Sequence, residues 1–282
     1  MLFIAGFKKC FIVFTVAIAS LLSVALSANA QAPSIASVPV TAATYNDNYT
    51  YDIETSYSGT ESLEILLSSG TLPAGLILTD NLDGTAQLSG IVTTEAGSSF
   101  PIELTVRETG GSLLSGAQPF TISVAKASAT INLSDLTQVY NGTSRSATAS
   151  TTPAGLTVEI TYDGSLTPPT NADEYDIIAT VIDDNYEGNE NASFTINKAT
   201  PVITWSAPSS ISYGTALSAT ELDATASIAG TFTYTPANGT ILNAGVNQTL
   251  SVDFVPTDIN NYNQVNGTTV QITVNKATPV IT

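Results

Sequence analysis

Eight residues, Asn197-Lys198-Ala199-Thr200-Pro201-Val202-Ile203-Thr204, recur letter for letter as Asn275-Lys276-Ala277-Thr278-Pro279-Val280-Ile281-Thr282, and a partial copy, Ala125-Lys126-Ala127-Ser128-Ala129-Thr130-Ile131, lies upstream. The three lysines stand 72 and 78 residues apart. Self-similarity at such a spacing marks modules in series. Before each lysine, apolar residues alternate with polar ones: Phe120, Ile122 and Val124, then Phe194 and Ile196, then Val270, Ile272 and Val274. That period of two belongs to a half-buried strand. After the lysine, the Thr-Pro of the two full copies keeps the chain extended, because the proline ring clashes with a helical residue before it. The repeat therefore reads as a short, glycine-free and stiff joint between a closing strand and an opening one.

The first thirty residues stand apart from this pattern. Lys8 and Lys9 precede an apolar run from Phe11 to Leu26, and Ala28-Asn29-Ala30 has the small-x-small form of a cleavage site. Residues 1–30 are expected to be a signal peptide cut after Ala30, leaving no stable membrane insertion. Cys10 precedes the apolar run, which argues against a lipoprotein cysteine.

The remaining chain has no cysteine, histidine or methionine, so it can form neither a disulfide nor a Cys/His zinc site. Losing Lys8 and Lys9 leaves five cations against 24 acids, a net charge of −19 that repels nucleic acid and anionic headgroups. The joints imply modules at 31–125, 126–197 and 198–275, each long enough to hold its own core, with 276–282 opening a further, truncated repeat. No sustained 3.6-residue apolar period follows the leader, so the class is all-β.

In module one the strand candidates are Tyr49-Tyr51-Ile53, Leu63-Ile65-Leu67, Leu76-Leu78, Ile102-Leu104-Val106 and Phe120-Ile122-Val124. Ser58-Gly59, Asp83-Gly84 and Gly110-Gly111 supply the turns. Short strands at this spacing suit two packed antiparallel sheets. Leu72-Pro73-Ala74-Gly75-Leu76-Ile77-Leu78 followed by Gly84-Thr85-Ala86-Gln87-Leu88-Ser89-Gly90 resembles the Ig-like and dystroglycan-type cadherin-like domains of bacterial surface proteins. That family often carries calcium-binding aspartates. Here Tyr57-Ser58-Gly59 and Arg107-Glu108-Thr109 occupy those places and lack the paired carboxylates that Ca²⁺ needs.

Module two combines Val139-Tyr140-Asn141-Gly142-Thr143, a hairpin from Val158 through Asp163-Gly164, Pro169-Thr170-Asn171-Ala172 leading into Tyr175–Val181, and Asp184-Asn185-Tyr186-Glu187-Gly188. This is similar to the small "mostly β" (MBG) repeat of bacterial surface proteins, with Asp173 where that family usually has glycine. Module three, with Thr231-Phe232-Thr233-Tyr234-Thr235-Pro236, a turn at Asn238-Gly239 and Leu250–Phe254, is similar to bacterial Ig-like repeats. Modules two and three echo each other: Tyr140 answers Tyr213, Asn171-Ala172 answers Asn243-Ala244, and Asn185-Tyr186 answers Asn261-Tyr262. The resemblances imply tandem Ig-like antiparallel β-sandwich domains following a cleaved signal peptide.

For chemistry, the densest acidic groups are Asp183-Asp184 with Glu187 and Glu190, and Asp173-Glu174-Asp176. Both flank turns and are read as solvated loops, with a weak Ca²⁺ site as the alternative. A serine nucleophile would need a lysine as its base, and every lysine past the leader is at a joint, where Lys198 and Lys276 are expected to bridge acids of the neighbouring module. Trp205 and exposed tyrosines could stack on sugars; Tyr140, Tyr186, Tyr213 and Tyr262 are instead expected to anchor strand ends with the ring inside. No catalytic residue, metal ligand or cofactor-binding residue is assigned, and Ca²⁺ is the one cofactor left open.

The expected protein is a non-catalytic, secreted or surface-displayed spacer, a monomeric string of modules within a larger adhesin-like protein. Two alternatives stand beside it: an adhesion or carbohydrate-binding module meeting a cell-surface protein or glycan, and an accessory region of an extracellular hydrolase.

Overall fold

A computed structural model describes residues 31–109 and 115–279. The leader at 1–30, the turn at Gly110-Gly111 and the opening strand at Val280-Ile281-Thr282 lie outside the described residues. The chain packs as two compact units, one holding the described residues up to Ser128 together with Asp183–Glu187, the other holding Ala129–Ile182 and the chain from Gly188 onward.

The strands up to Ser128 are β1 (Ser34–Ile35), β2 (Ala42–Thr44), β3 (Asn48–Ser56), β4 (Leu63–Ser69), β5 (Leu76–Asp80), β6 (Thr85–Ile91), β7 (Ser99–Glu108), β8 (Ser115–Ala125) and β9 (Ala127–Ser128). They form two four-stranded sheets, β1-β3-β6-β5 and β2-β8-β7-β4. Alternation decides which face of each strand is buried: Tyr49, Tyr51 and Ile53 of β3 are buried while their neighbours are exposed. They share one core with Leu88 of the same sheet and Ile65, Leu104, Val106 and Ile122 of the other, which makes the pair a sandwich. Each fully buried large side chain contributes roughly 1.5–3 kcal/mol.

The glycine motif has a steric cause. A Cβ on Gly75 would lie 1.9 Å from the carbonyl oxygen of Ile91, and one on Gly90 would lie 2.0 Å from that of Gly75. Both glycines also take positive φ, 93° and 147°. The backbones of β5 and β6 meet so closely here that no side chain fits between them.

Further along come β10 (Thr130–Ser134), β11 (Thr137–Val139), β12 (Thr148–Thr152), β13 (Val158–Tyr162), β14 (Glu174–Val181), β15 (Tyr186–Glu187) and β16 (Asn189–Asn197). β10 pairs with β12, and a four-stranded sheet runs β11-β16-β14-β13. Phe194, fully buried, packs edge to face on Tyr162 at 5.4 Å, with Ile177 and Ile196 beside it. The Tyr162 hydroxyl accepts the Ala147 N–H at 2.9 Å, so its polar tip is matched inside the core. Asp163 and Gly164 both take positive φ, and Tyr162 and Ser165 exchange two backbone hydrogen bonds across them, closing the expected tight turn. Asp173, the departure from the MBG pattern, has no positive φ, so a side chain is tolerated there.

The last strands are β17 (Ile203–Thr204), β18 (Ile211–Ser212), β19 (Thr225–Ala226), β20 (Gly230–Thr235), β21 (Gly245–Pro256) and β22 (Val265–Asn275). β17 pairs with β19, and the larger sheet runs β18-β22-β21-β20. Its core holds Leu217, Leu222, Leu250 and Ile272.

The pairing is antiparallel with one recurring exception. The short strand near the start of each set runs parallel to the strand that closes it: β2 with β8, β11 with β16, and β18 with β22. A tyrosine follows each short strand, and its N–H donates to the residue just before the lysine: Tyr45 to Ala125 at 3.0 Å, Tyr140 to Asn197 at 2.9 Å, and Tyr213 to Asn275 at 2.8 Å. The closing strand is thereby held up to the residue preceding the joint.

Candidate functional site

Two sets of polar residues gather around Lys126 and Lys198. In the first unit Asp183 folds its own loop, its Oδ1 accepting the N–H groups of Asn185 at 2.8 Å and Tyr186 at 3.0 Å. That turn presents Asn185, whose Oδ1 accepts the N–H of Ala96 at 3.0 Å while its carbonyl accepts the N–H of Ala127 at 2.9 Å. Lys126 Nζ donates to the Asp183 carbonyl oxygen at 2.6 Å, and β15 lies parallel to β9. The Tyr186 ring meets Tyr45 edge to face at 5.5 Å and 86°, and its hydroxyl accepts a hydrogen bond from Asn46 at 3.4 Å.

The second unit repeats the clasp. Asp258 Oδ1 accepts the N–H groups of Asn260 and Asn261, both at 3.2 Å, and its Oδ2 accepts Asn261 Nδ2 at 2.9 Å. These bonds, the Asn261 amide first among them, hold the Asp258 carboxyl below its ordinary range, with the Lys198 charge adding to the effect. Asn261 Oδ1 accepts the N–H of Ala172 at 2.7 Å, and the Asn261 carbonyl accepts the N–H of Ala199 at 3.0 Å. Lys198 Nζ donates to the Ile259 carbonyl oxygen at 2.7 Å. Tyr262 meets Tyr140 edge to face at 5.2 Å and 83°.

The acid bridge expected of Lys198 is replaced by its bond to the Ile259 carbonyl oxygen. The Asp258 carboxylate is occupied in folding its own loop, which leaves a backbone oxygen to take the Lys198 ammonium. Lys276 is exposed. Among the described residues the ion pair is Arg107 with Glu64, at 2.8 Å on the surface of the first unit.

Of the tyrosines expected to anchor strand ends, Tyr140 is half-buried and packs against the core around Tyr162 and Phe194, while its ring also meets that of Tyr262. The half-buried Tyr186 meets Tyr45 at the first clasp. Tyr213 is 51% exposed, the one exposed aromatic among the described residues. Trp205 packs edge to face on Tyr234 at 5.4 Å and donates its Nε1–H to the Glu221 carbonyl at 3.2 Å. Reading the sequence missed Tyr45 and the amides of Ala96 and Ala172. The echo of Asn171-Ala172 with Asn243-Ala244 was the signal that could have found the two later amide positions.

The acidic groups serve local turns. Asp163 Oδ1 accepts the Asp176 N–H at 2.9 Å, and Asp173 Oδ1 accepts the Glu174 N–H at 2.9 Å. The Tyr57 hydroxyl donates to Glu108, and this bond pushes the Tyr57 hydroxyl up to about 12. Among the described residues no three Asp, Glu, His or Cys side chains converge on a common point, and no helix is long and apolar enough to cross a membrane.

Residues 129–200 match the family model of the MBG domain. No curated protein matches the chain. Among solved structures, it is similar to immunoglobulin domains 1–5 of Sidekick-1, at 12% identity over 88% of this chain and 60% of that one, with a TM-score of 0.33. An I-band fragment from titin matches at 9% identity over 88% of this chain and 99% of that one, TM-score 0.36. An endo-fucoidan hydrolase of glycoside hydrolase family 107 matches at 18% identity over 89% of this chain and 45% of that one, TM-score 0.29. The chain thus spans less than two thirds of the length of the Sidekick fragment and of the hydrolase.

Proposed function

We propose that this chain, which carries an MBG domain at residues 129–200, is a non-catalytic spacer exported from the cell and displayed or secreted outside it. Its modules at 31–125, 126–197 and 198–275 work in series. One observation carries the reading: β2 with β8, β11 with β16, and β18 with β22 each place an early strand parallel to the closing strand. In a parallel pair, a pull on the start of one strand and the end of the other acts in opposite directions along the strands. The hydrogen bonds between them are then loaded together, in shear, and do not open one at a time. The clasps fit the same role. They use Lys126, Lys198, Asn185 and Asn261 to fasten backbone at the joints, where a binding or catalytic loop would hold such groups toward a ligand.

Pulling residues 31–282 by their ends in a single-molecule instrument is expected to give three separate unfolding events, each releasing roughly 200–300 Å of chain at full extension. Smooth extension without force peaks would overturn the reading. So would turnover of a polysaccharide by the purified chain alone.

A further inference from the structure

We infer that the end of module three formed by Tyr213, Asn243, Ala244, Lys276 and Ala277 is a docking site for an Asp-…-Asn-Tyr loop, supplied in cis by a β-sandwich module entered through the repeated letters that begin at Asn275. These five residues line a shallow concavity of about 360 Å³. Each has a counterpart in the clasp already filled in the same unit: Tyr140, Asn171, Ala172, Lys198 and Ala199.

Hydrogen bonding establishes the correspondence independently of the letters. Tyr45, Tyr140 and Tyr213 each donate their N–H to the residue before the lysine. Ala96, Ala172 and Ala244 each precede a residue paired with the second position before it: Gly97 bonds to Val124, Asp173 to Ile196, and Gly245 is the partner of Val274. Burial separates the third set from the other two. Tyr45, Tyr140, Ala96 and Ala172 are half-buried beneath their Asn-Tyr loops, whereas Tyr213 and Ala244 are exposed, and among the described residues Ala244 N–H has no acceptor.

The occupant follows from the two filled sites. In each, an asparagine side-chain oxygen takes the alanine N–H, a tyrosine edge meets the receiving tyrosine, and the lysine ammonium takes a loop carbonyl. The letters from Asn275 to Thr282 repeat those from Asn197 to Thr204, which lead into the module whose Asp258–Tyr262 loop fills the second site. A module entered through the same letters brings a loop of the same kind to Tyr213. The inference extends the spacer reading by one joint; the pulling experiment tests that reading, whereas the experiment below tests this surface alone.

Residues 31–282 are compared with the same chain lengthened after Thr282 by a copy of Trp205–Asn275, which continues the letters as they continue after Thr204. Amide hydrogen exchange at Ala244 is expected to slow by about tenfold or more in the longer chain. It should return to its original rate when the asparagine of the added copy that corresponds to Asn261 is changed to alanine. Unchanged exchange at Ala244 beside a folded added copy overturns the inference. Should that copy fail to fold, Ser128–Asn197 joined after Ala277 brings the Asp183–Tyr186 loop in its place, and the same two outcomes decide. Ala244 protection that rises with protein concentration in residues 31–282 would place a second copy there and overturn the occupant.

Discussion

Asn261 is 7% exposed, yet every polar atom of its side chain is matched: Oδ1 by the Ala172 N–H, and Nδ2 by Asp258 Oδ2 and Asn171 Oδ1. Asn261→Ala leaves the Ala172 N–H without its acceptor and is expected to cost about 1–3 kcal/mol in urea denaturation. Titration behaviour also belongs to single residues. Burial first, with the nearby Tyr51, pushes the Tyr49 hydroxyl up to about 12, and the bond to Glu108 does the same for Tyr57. The unfolded chain loses these protons near the ordinary value of 10.0, so it binds fewer protons between about 10 and about 12, and stability falls as pH climbs through that window. At the acid end, hydrogen bonds hold Asp83, Glu221 and Asp258 below their ordinary values of 3.8, 4.5 and 3.8. The stability they supply is full above those values and is lost as pH falls below them. With no histidine in the chain, the melting temperature is expected to be flat from about pH 6 to about pH 9 and to drop on both sides. A step near neutrality would contradict this.

At the scale of the element, alternation along β14 and β16 separates residues that hold the module together from residues that do not. Phe194 on β16 is fully buried against Tyr162, and Phe194→Ala should cost about 3–5 kcal/mol, enough to unfold a module of this size at moderate temperature. Ile178 on β14 is 48% exposed, and Ile178→Ala should stay within about 0.5 kcal/mol. Equal losses in a thermal melt would mean that the β14–β16 register is wrong. Period-two patterning made β3, β4, β5, β7, β8, β14 and β16 legible in advance, because each has one wet and one dry face. The short strands β2, β11 and β18 were not legible. With two or three residues each, they are strands only because a closing strand lies beside them to receive their hydrogen bonds.

For the whole molecule, the clasp at Asn185 and the clasp at Asn261 share no hydrogen-bond partner among the described residues. Asn185→Ala and Asn261→Ala should therefore cost the sum of their separate effects, within about 0.5 kcal/mol, when combined in one chain. A larger departure in denaturant titration would mean that the joints communicate.

The residues alone determined the β class, the alternating core faces and the lysine-bearing repeat, because each follows from local chemistry: a period of two, a proline after threonine, a repeated string. Distance in the chain hid the rest. That Asn185 caps Ala96, that Asn261 caps Ala172, and that Lys126 and Lys198 donate to carbonyl oxygens and not to acids depends on partners 57 to 89 positions away. Only folding brings those partners within reach, and the aspartates had already been taken up by their own loops.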